Sequence, residues 1–232
     1  MAAAPALSKI RWVPTWRIIA DSYPPINFFE RIADPADWEV LLDLARLTDP
    51  SFEDVGDIGL IPVADRISGP GVGRVIPSFT FLDPNPPGSR FSNSAFGAYY
   101  AARDMETAIA ETVHHREKFL QDAGITRPMD IDHLIILADI AGEFPDIRGM
   151  QADLPDIYHA SDYTASQGLA ATLRAAGSFG ILYSSIRRAG GECVAVFRPT
   201  VITNIREGIT IVYRWDGTRI TGRFRKMGWT PI

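Results

Sequence analysis

A basic, an aromatic and an acidic side chain follow one another in the middle of the sequence. Arg90 lies in the segment Gly88-Ser-Arg-Phe, Tyr100 comes ten residues later and Glu111 eleven residues after that. A guanidinium suits an anion, an aromatic face suits a cationic ring, and a carboxylate can stabilise developing positive charge. A loop, a short strand and one helix would place these three groups around a shared pocket.

Glu111 has a second interpretation, because it lies on the polar side of the predicted helix that begins near Asp104. At the helical period, the apolar stripe of this segment runs along the opposite side. Glu111 would then belong to a solvated helix face. The stripe comprises Met105, Ile109, Thr112, Val113 and Leu120, and the polar side comprises Asp104, Thr107, Glu111, His114, His115 and Lys118.

The elements before this stretch are a strand, a helix and a long irregular segment. Residues 9–20 are rich in aromatic and β-branched side chains and predict a strand, which Pro14 places at an edge or a bulge. A helix is expected from a cap at Asp34 to a stop before residue 49. Glycines and prolines interrupt residues 49–89, leaving room for a short strand at 78–82, and Arg74 is a minor candidate for an anion contact.

The elements after it alternate between strands and one further helix. The apolar run 133–140 predicts a strand covered on both faces, and 161–176 predicts a helix capped by Ser161 or Asp162. Short strands follow at 179–183 and 193–197. An Asp-Gly turn at 216–217 predicts a C-terminal hairpin over 209–225. Strands at both ends and helices between them indicate one α+β domain over residues 1–232.

Composition narrows the class of protein. The chain has 232 residues, 46% hydrophobic content and a formal charge of −5, which fits one core and disfavours nucleic acid as a direct partner. The single cysteine, Cys193, excludes an internal disulfide, fits a reducing compartment and is expected to be a buried apolar residue. Neither a secretion signal nor a membrane-spanning run is recognised, so we expect a cytoplasmic protein.

Several common chemistries are disfavoured by spacing. His114 and His115 are adjacent and lack a cysteine pair or a His-Glu-x-x-His pattern, so no metal is expected. They are interpreted as a polar face or a local hydrogen-bonding pair. Ser184 and Ser185 do not lie on a Gly-x-Ser-x-Gly elbow, and no phosphate-binding loop ends in Gly-Lys.

The motifs Gly-Ser-Arg-Phe, Tyr-Tyr-Ala-Ala, Glu-Thr-Ala-Ile-Ala-Glu-Thr-Val-His-His and Gly-Ile-Leu-Tyr-Ser-Ser-Ile-Arg occur in an order that resembles the RES domain family. The resemblance runs from about residue 17 to about residue 205. It implies a mixed β-sheet core with flanking helices, similar to ADP-ribosyltransferases, and a toxin that consumes NAD⁺ beside a Xre-type antitoxin. The family positions fall on Arg90, Tyr100, Glu111 and Ser185, with Ser184 as the alternative serine.

Cleavage of the nicotinamide–ribose bond of NAD⁺ can be catalysed by one carboxylate. Nicotinamide leaves as a neutral molecule, so no general acid is needed to protonate it. Glu111 would stabilise the oxocarbenium-like transition state. Arg90 would bind the pyrophosphate, and Tyr100 would stack on nicotinamide. Ser185 would bind the ribose or the nucleophile, and Arg187 a phosphate nucleophile. Without the resemblance, Arg90 would be assigned to a surface ion pair and Tyr100 to a core position. Ser185 would be assigned to a turn at the end of a strand, and Arg187 to the solvated surface.

The sequence is therefore compatible with three functions. The first is a toxin that cleaves the nicotinamide–ribose bond of NAD⁺, with inorganic phosphate or water as acceptor and no bound cofactor. The second is transfer of ADP-ribose to a protein, which is less favoured because Ile109 stands two positions before Glu111, where such transferases often carry a second acid. The third is a non-catalytic module that binds a protein through the helix face around Glu111. A homodimer is an expectation without an interface signature.

Overall fold

One antiparallel sheet with helices packed on it forms the α+β fold of this chain. The computed structural model describes residues 5–21, 35–47, 56–80 and 88–226. Within these ranges the sheet has seven strands in the order β4-β5-β2-β1-β3-β6-β7. The strands are β1 (Leu7–Ala20), β2 (Tyr99–Ala102), β3 (Met129–Pro145), β4 (Gly180–Ser184), β5 (Glu192–Val196), β6 (Ile202–Trp215) and β7 (Ile220–Arg225).

Four α-helices lie in the described ranges. They are α1 (Trp38–Arg46), α2 (Pro77–Thr80), α3 (Met105–Asp122) and α4 (Thr164–Ala175). The predicted cap of α1 at Asp34 lies outside the described residues. Asp104 is the N-cap of helix α3, and its carboxylate accepts the backbone N–H of Thr107 at 2.9 Å. Each helix in the described ranges is too short or too polar to span a lipid bilayer.

The expected strand at residues 9–20 is confirmed as β1, with a bulge at its proline. The register of β1 against β3 shifts between Trp12 and Thr15, so Pro14 falls in the irregular part of the ladder. Strand β1 lies between β2 and β3 in the sheet, and its pairing with β2 is at Trp16, after the bulge. A bulge lets an interior strand tolerate a residue without an N–H donor.

Two local predictions are corrected by the structure. The strand expected at 78–82 is wrong, since Pro77–Thr80 forms helix α2, and residues 81–82 lie outside the described ranges. Proline is well suited to a first helical position, where its missing N–H costs nothing. The cap predicted for α4 is also wrong, because the N-cap is Tyr163 and Asp162 forms a turn before it by accepting Thr164 N at 2.9 Å.

The sheet is covered on both faces at β3, as the apolar run predicted. Ile136 and Ile140 are fully buried and pack in the same cluster as Trp38 of α1. Ile135, which alternates to the other face, packs in a cluster with Ile109 of α3. Helix α3 is thereby held across β1, with Ile109 inward, and this orientation decides where Glu111 lies two residues further on.

The C-terminal strands β6 and β7 form a hairpin around Asp216 and Gly217. Asp216 N donates to Arg219 O at 3.1 Å, and the Asp216 carboxylate accepts the N–H groups of Thr218 and Arg219. Gly217 has a φ of 103°, a conformation that glycine adopts readily. The hairpin extends the sheet on the side away from β2 and the Arg90 loop.

Candidate active site

A cavity of about 290 Å³ lies between α3, the centre of the sheet and the loop that carries Arg90. Four of the five predicted site residues line this cavity, and the fifth contacts one of them. The lining residues are Trp16, Arg17, Ile18, Ser89, Arg90, Tyr100, Ala101, Ala102, Ala108, Glu111, Thr112, His115, Tyr163, Tyr183, Arg187 and Cys193. Glu111 is the sole carboxylate among these described lining residues.

Glu111 is half-buried in the cavity and held by Ser185. Ser185 Oγ donates a hydrogen bond of 2.5 Å to Glu111 Oε1. The same oxygen accepts the backbone N–H groups of Arg187 at 3.0 Å and Arg188 at 3.1 Å. The Ser185 hydroxyl is therefore saturated by protein groups and is itself buried. In this arrangement Ser185 orients the carboxylate, and its expected contact with the ribose or the nucleophile stays a prediction.

The loop after β4 is locked to the start of α3, which keeps Ser185 opposite Glu111. Arg188 Nη1 donates to both oxygens of Asp104, at 3.1 and 3.2 Å, and to Thr107 Oγ1 at 2.9 Å. A Cβ on Gly191 would lie 2.8 Å from the Thr107 side chain, so the loop requires glycine there. Ser184 faces elsewhere and accepts Gly149 N at 3.0 Å. Of the two serines, Ser185 is therefore the one that contacts Glu111.

Tyr100 supports the Arg90 loop through its hydroxyl, a role that its sequence position did not predict. The hydroxyl accepts hydrogen bonds of 2.8 Å from Ser89 Oγ and from Phe91 N. It also donates to Ser92 Oγ at 3.2 Å. Burial raises the pKa of this phenol, so it stays protonated and can donate. The ring of Tyr100 lines the cavity, which leaves stacking on a substrate ring open as an expectation.

Arg90 is buried and its guanidinium is fixed by two groups from the segment before α4. Its Nη1 donates to Ile157 O at 2.8 Å, and its guanidinium carbon lies 4.9 Å from the centre of the Tyr163 ring. Among the described residues it has no carboxylate partner. A buried guanidinium without a counter-ion is suited to an anionic ligand.

Arg17 is a second cation of the cavity that the sequence reasoning missed. It lies on β1 and donates from Nη1 to Tyr100 O at 3.1 Å, while its guanidinium carbon is 4.8 Å from the Tyr99 ring centre. Its buried Nε has no hydrogen-bond partner among the described residues. Burial lowers the pKa of this guanidinium, although arginine remains charged at neutral pH. The signal for it in the sequence was a basic residue between Trp16 and Ile18 in a strand rich in aromatic and β-branched side chains.

Arg187 and His115 lie at the cavity with Arg90. Arg187 Nη2 donates to Ala160 O at 2.8 Å, so the segment 157–160 contacts both Arg90 and Arg187. Burial, then Arg187 and Arg90, lowers the pKa of His115, which favours neutral imidazole. His114 does not line the cavity, and its ring meets that of His115 edge to face at 5.4 Å.

Cys193 and Tyr183 form an uncharged wall of the cavity. Burial raises the pKa of the Cys193 thiol well above its usual value, and the neighbouring Glu111 raises it further. Burial likewise raises the pKa of the Tyr183 phenol well above its usual value. A neutral buried thiol is a poor nucleophile, in agreement with the expectation that Cys193 is an apolar residue of the interior.

Three further sequence expectations concern Arg74, metal binding and Ile109. Arg74 pairs with Glu207, with 2.6 Å between Nη2 and Oε1, and does not line the cavity. In the described ranges, no group of three or more His, Cys, Asp or Glu side chains could hold a metal ion. Ile109, which stands where a second acid would be, is buried against the sheet.

Comparisons with known proteins place the chain in a family. A relative in Sinorhizobium fredii (strain NBRC 101917 / NGR234), the uncharacterized protein y4oC, is 26% identical over 209 residues, covering 89% of this chain and 84% of the relative. A chain in the crystal structure of the M. tuberculosis MbcT-MbcA toxin-antitoxin complex has 12% identity and a TM-score of 0.45, with coverage of 87% of this chain and 85% of that one. That likeness is too weak to support an inference about function. The family model of the RES domain matches residues 64–216, more than half of the sequence, and the chain therefore belongs to the RES domain family.

Proposed function

We propose that this protein cleaves the bond between nicotinamide and ribose in NAD⁺ and acts as the toxin of a toxin–antitoxin pair. The observation that carries the proposal is the single carboxylate, Glu111, held by Ser185 inside a cavity that also contains Arg90 and Arg17. NAD⁺ presents a positively charged glycosidic centre and a negatively charged diphosphate. The cavity offers one negative group and several positive groups, which is the complementary pattern.

Glu111 supplies the chemistry in this proposal. As nicotinamide departs, positive charge builds on the ribose C1′ and ring oxygen, and the carboxylate stabilises that charge electrostatically. The leaving group takes both electrons of the C–N bond and departs neutral, so no acid has to protonate it. Since Ser185 occupies Oε1, Oε2 is the oxygen that is available to the ribose. One carboxylate then suffices where ordinary glycosidic bonds require two.

The two arginines bind the diphosphate. Arg90 and Arg17 come from different elements, a loop and strand β1, yet both line the same cavity and lack a carboxylate partner among the described residues. Each provides a planar set of donors suited to phosphate oxygens. The Tyr100 hydroxyl holds the Arg90 loop by accepting the N–H of Phe91, and its ring lines the cavity, where nicotinamide would stack.

The acceptor is inorganic phosphate or water, and Arg187 is the candidate contact for phosphate at the cavity. Transfer to a protein is less favoured, because Ile109 is buried and the described lining offers no second carboxylate to activate a protein nucleophile. A Xre-type antitoxin is the expected protein partner, by resemblance to the family.

The test is nicotinamide release from NAD⁺ by the purified protein, with and without inorganic phosphate. The product, ADP-ribose or its 1″-phosphate, identifies the acceptor by mass spectrometry. The proposal expects turnover that depends on Glu111. Binding of NAD⁺ without release of nicotinamide would instead favour a non-catalytic module.

A further inference from the structure

The turn that presents Arg90 is closed by two backbone hydrogen bonds and then joined at both ends by one side chain. Ser89 N donates to Ser92 O at 3.0 Å, and Ser92 N donates to Ser89 O at 3.3 Å. Gln167 Nε2 donates to the same two carbonyls, at 3.0 Å to Ser89 O and 3.1 Å to Ser92 O. Each carbonyl oxygen can accept two hydrogen bonds, and the Gln167 amide supplies the second one to each. A single NH₂ group therefore fixes the distance between the two ends of the turn.

Gln167 and Tyr163 act on Arg90 from the same side of α4. They are four residues apart, so they lie one above the other on one helix face. Tyr163 stacks on the Arg90 guanidinium, while Gln167 holds the backbone on either side of Arg90. The start of α4 thus contacts both the charged group and the backbone that carries it.

The attachment of α4 to the sheet does not depend on the Gln167 amide. Ala170 is fully buried, and Leu169 and Leu173 pack against the same apolar cluster as Phe91 and Tyr183. These contacts supply the hydrophobic stabilisation of the helix. Loss of the amide alone should therefore leave the helix in place and affect the turn.

Gly88 shows how closely the amide and the turn approach each other. Its φ is 71°, and a Cβ at this position would lie 2.7 Å from Ser92 O and 3.3 Å from Gln167 Nε2. A side chain there would strain the backbone and crowd the amide. Glycine at this position leaves the space that Gln167 uses.

We propose that Gln167 is a positioning residue that holds the Arg90 turn in the geometry needed to bind the diphosphate of NAD⁺. This inference rests on the proposed function. Arg90 contacts a part of the substrate that does not react, so it contributes equally to binding of the substrate and of the transition state. Misplacement of Arg90 should accordingly raise KM and leave kcat almost unchanged.

The primary variant is Gln167→Met, which keeps the length and removes both donors. The variant loses two hydrogen bonds to the turn, so we expect KM for NAD⁺ to rise about tenfold while kcat stays within about twofold. Gln167→Glu has the same shape but places carboxylate oxygens against two carbonyls, and should raise KM further. If Gln167 only filled space, Gln167→Glu would preserve that role. A KM for Gln167→Glu close to that of the wild type would therefore overturn the proposal.

The matched control is Gln121→Met. Gln121 Nε2 donates to Thr218 O at 3.0 Å, so the chemical change is the same but lies on α3 outside the cavity lining. We expect KM and kcat of this variant to match the wild type. Urea unfolding checks that each variant is folded, and if Gln167→Met does not fold, Gln167→Asn, which keeps the amide one methylene further back, takes its place.

A double-mutant cycle separates positioning from a general structural effect. In the Arg90→Gln background, Gln167→Met should change KM by less than about twofold, because the group being positioned is gone. A full tenfold effect in that background, or equal losses in kcat and kcat/KM for Gln167→Met alone, would overturn the proposal.

Calorimetry distinguishes failure of this inference from failure of the proposed function. If the wild type binds NAD⁺ but releases no nicotinamide, the proposed reaction is wrong, and the role of Gln167 is tested by binding alone. A dissociation constant about tenfold higher for Gln167→Met would then support it, and an unchanged constant would overturn it. Absence of NAD⁺ binding by the wild type would overturn both.

Discussion

Ser185 Oγ lies 2.5 Å from Glu111 Oε1, although the two residues are 74 positions apart in the sequence. The serine donates to the carboxylate and accepts two backbone N–H groups, so its orientation is fixed from three directions. In the proposed reaction this contact aims the carboxylate at the ribose. It gives Ser185 a role through Glu111 rather than through the substrate.

Ser185→Ala should lower kcat about 10- to 100-fold with little change in KM for NAD⁺. The loss reflects one hydrogen bond to a charged group, worth about 1.5–3 kcal/mol. Steady-state nicotinamide release measures it. Ser184→Ala is the control, since Ser184 accepts Gly149 N and does not contact Glu111. If the Ser184 variant showed the larger loss of kcat, the assignment of the serine would be wrong.

Tyr100→Phe should raise KM about tenfold even though the aromatic ring is retained. The variant removes a hydroxyl that makes three hydrogen bonds to residues 89, 91 and 92, and leaves Phe91 N without that partner. Tyr99→Phe is the matched control, because the buried Tyr99 hydroxyl has no hydrogen-bond partner among the described residues. A Tyr100→Phe enzyme with wild-type KM would show that stacking alone explains this tyrosine.

Arg17→Met should weaken NAD⁺ binding about tenfold or more without lowering the midpoint of thermal unfolding. The substitution removes a charge-assisted contact to the diphosphate, but it also removes a buried cation that lacks a carboxylate partner in the described ranges. Arg17→Lys keeps the charge and loses the planar set of donors, so its affinity for NAD⁺ should lie between those of the wild type and Arg17→Met. Calorimetric titration with NAD⁺ measures the series, and unchanged affinity in Arg17→Met would exclude Arg17 from the substrate site.

His133 should make the protein less stable as the pH falls. It is fully buried, its Nδ1 lies 3.0 Å from Ile131 O, and burial lowers the pKa of its imidazole to about 4. The unfolded chain, with a pKa of about 6.5, binds more protons between these values, so the contribution is complete above about pH 6.5 and is lost as the pH falls towards 4.

Urea unfolding at about pH 7 and about pH 5 measures the effect of His133. The difference in free energy of unfolding should be about 2 kcal/mol larger for the wild type than for His133→Phe, which cannot take up the proton. Comparison with the variant removes the contribution of carboxylates that titrate in the same range. Equal pH dependence of the two proteins would contradict the assignment.

The strands and the long helix could be predicted because their signals are local. Aromatic and β-branched residues marked β1, and an apolar stripe at the helical period marked α3. The strand expected at 78–82 was wrong because a segment this short, with Phe79 and Phe81, is compatible with a strand or with a helical turn. Pro77 favours the helix, because proline suits the first helical position. The proline bulge in β1 was ambiguous for a related reason, since an edge and a bulge accommodate the same missing donor.

The parts of the candidate site that escaped prediction depend on tertiary contacts. Glu111 lies on the polar side of α3, and only the packing of Ile109 against the sheet turns that side towards the cavity rather than bulk solvent. Arg17 and Gln167 carry no motif, and each acquires its contact from a partner more than 70 positions away. The hydroxyl of Tyr100 was assigned no partner, because the loop it supports folds back onto the strand.

The most direct test of the account is nicotinamide release by Glu111→Gln. This variant keeps the shape of the side chain and removes its charge, so NAD⁺ should still bind with an affinity within a few-fold of the wild type. Loss of a stabilising charge at the transition state should lower kcat by about 10²- to 10³-fold. A Glu111→Gln enzyme that releases nicotinamide at the wild-type rate would contradict the central claim.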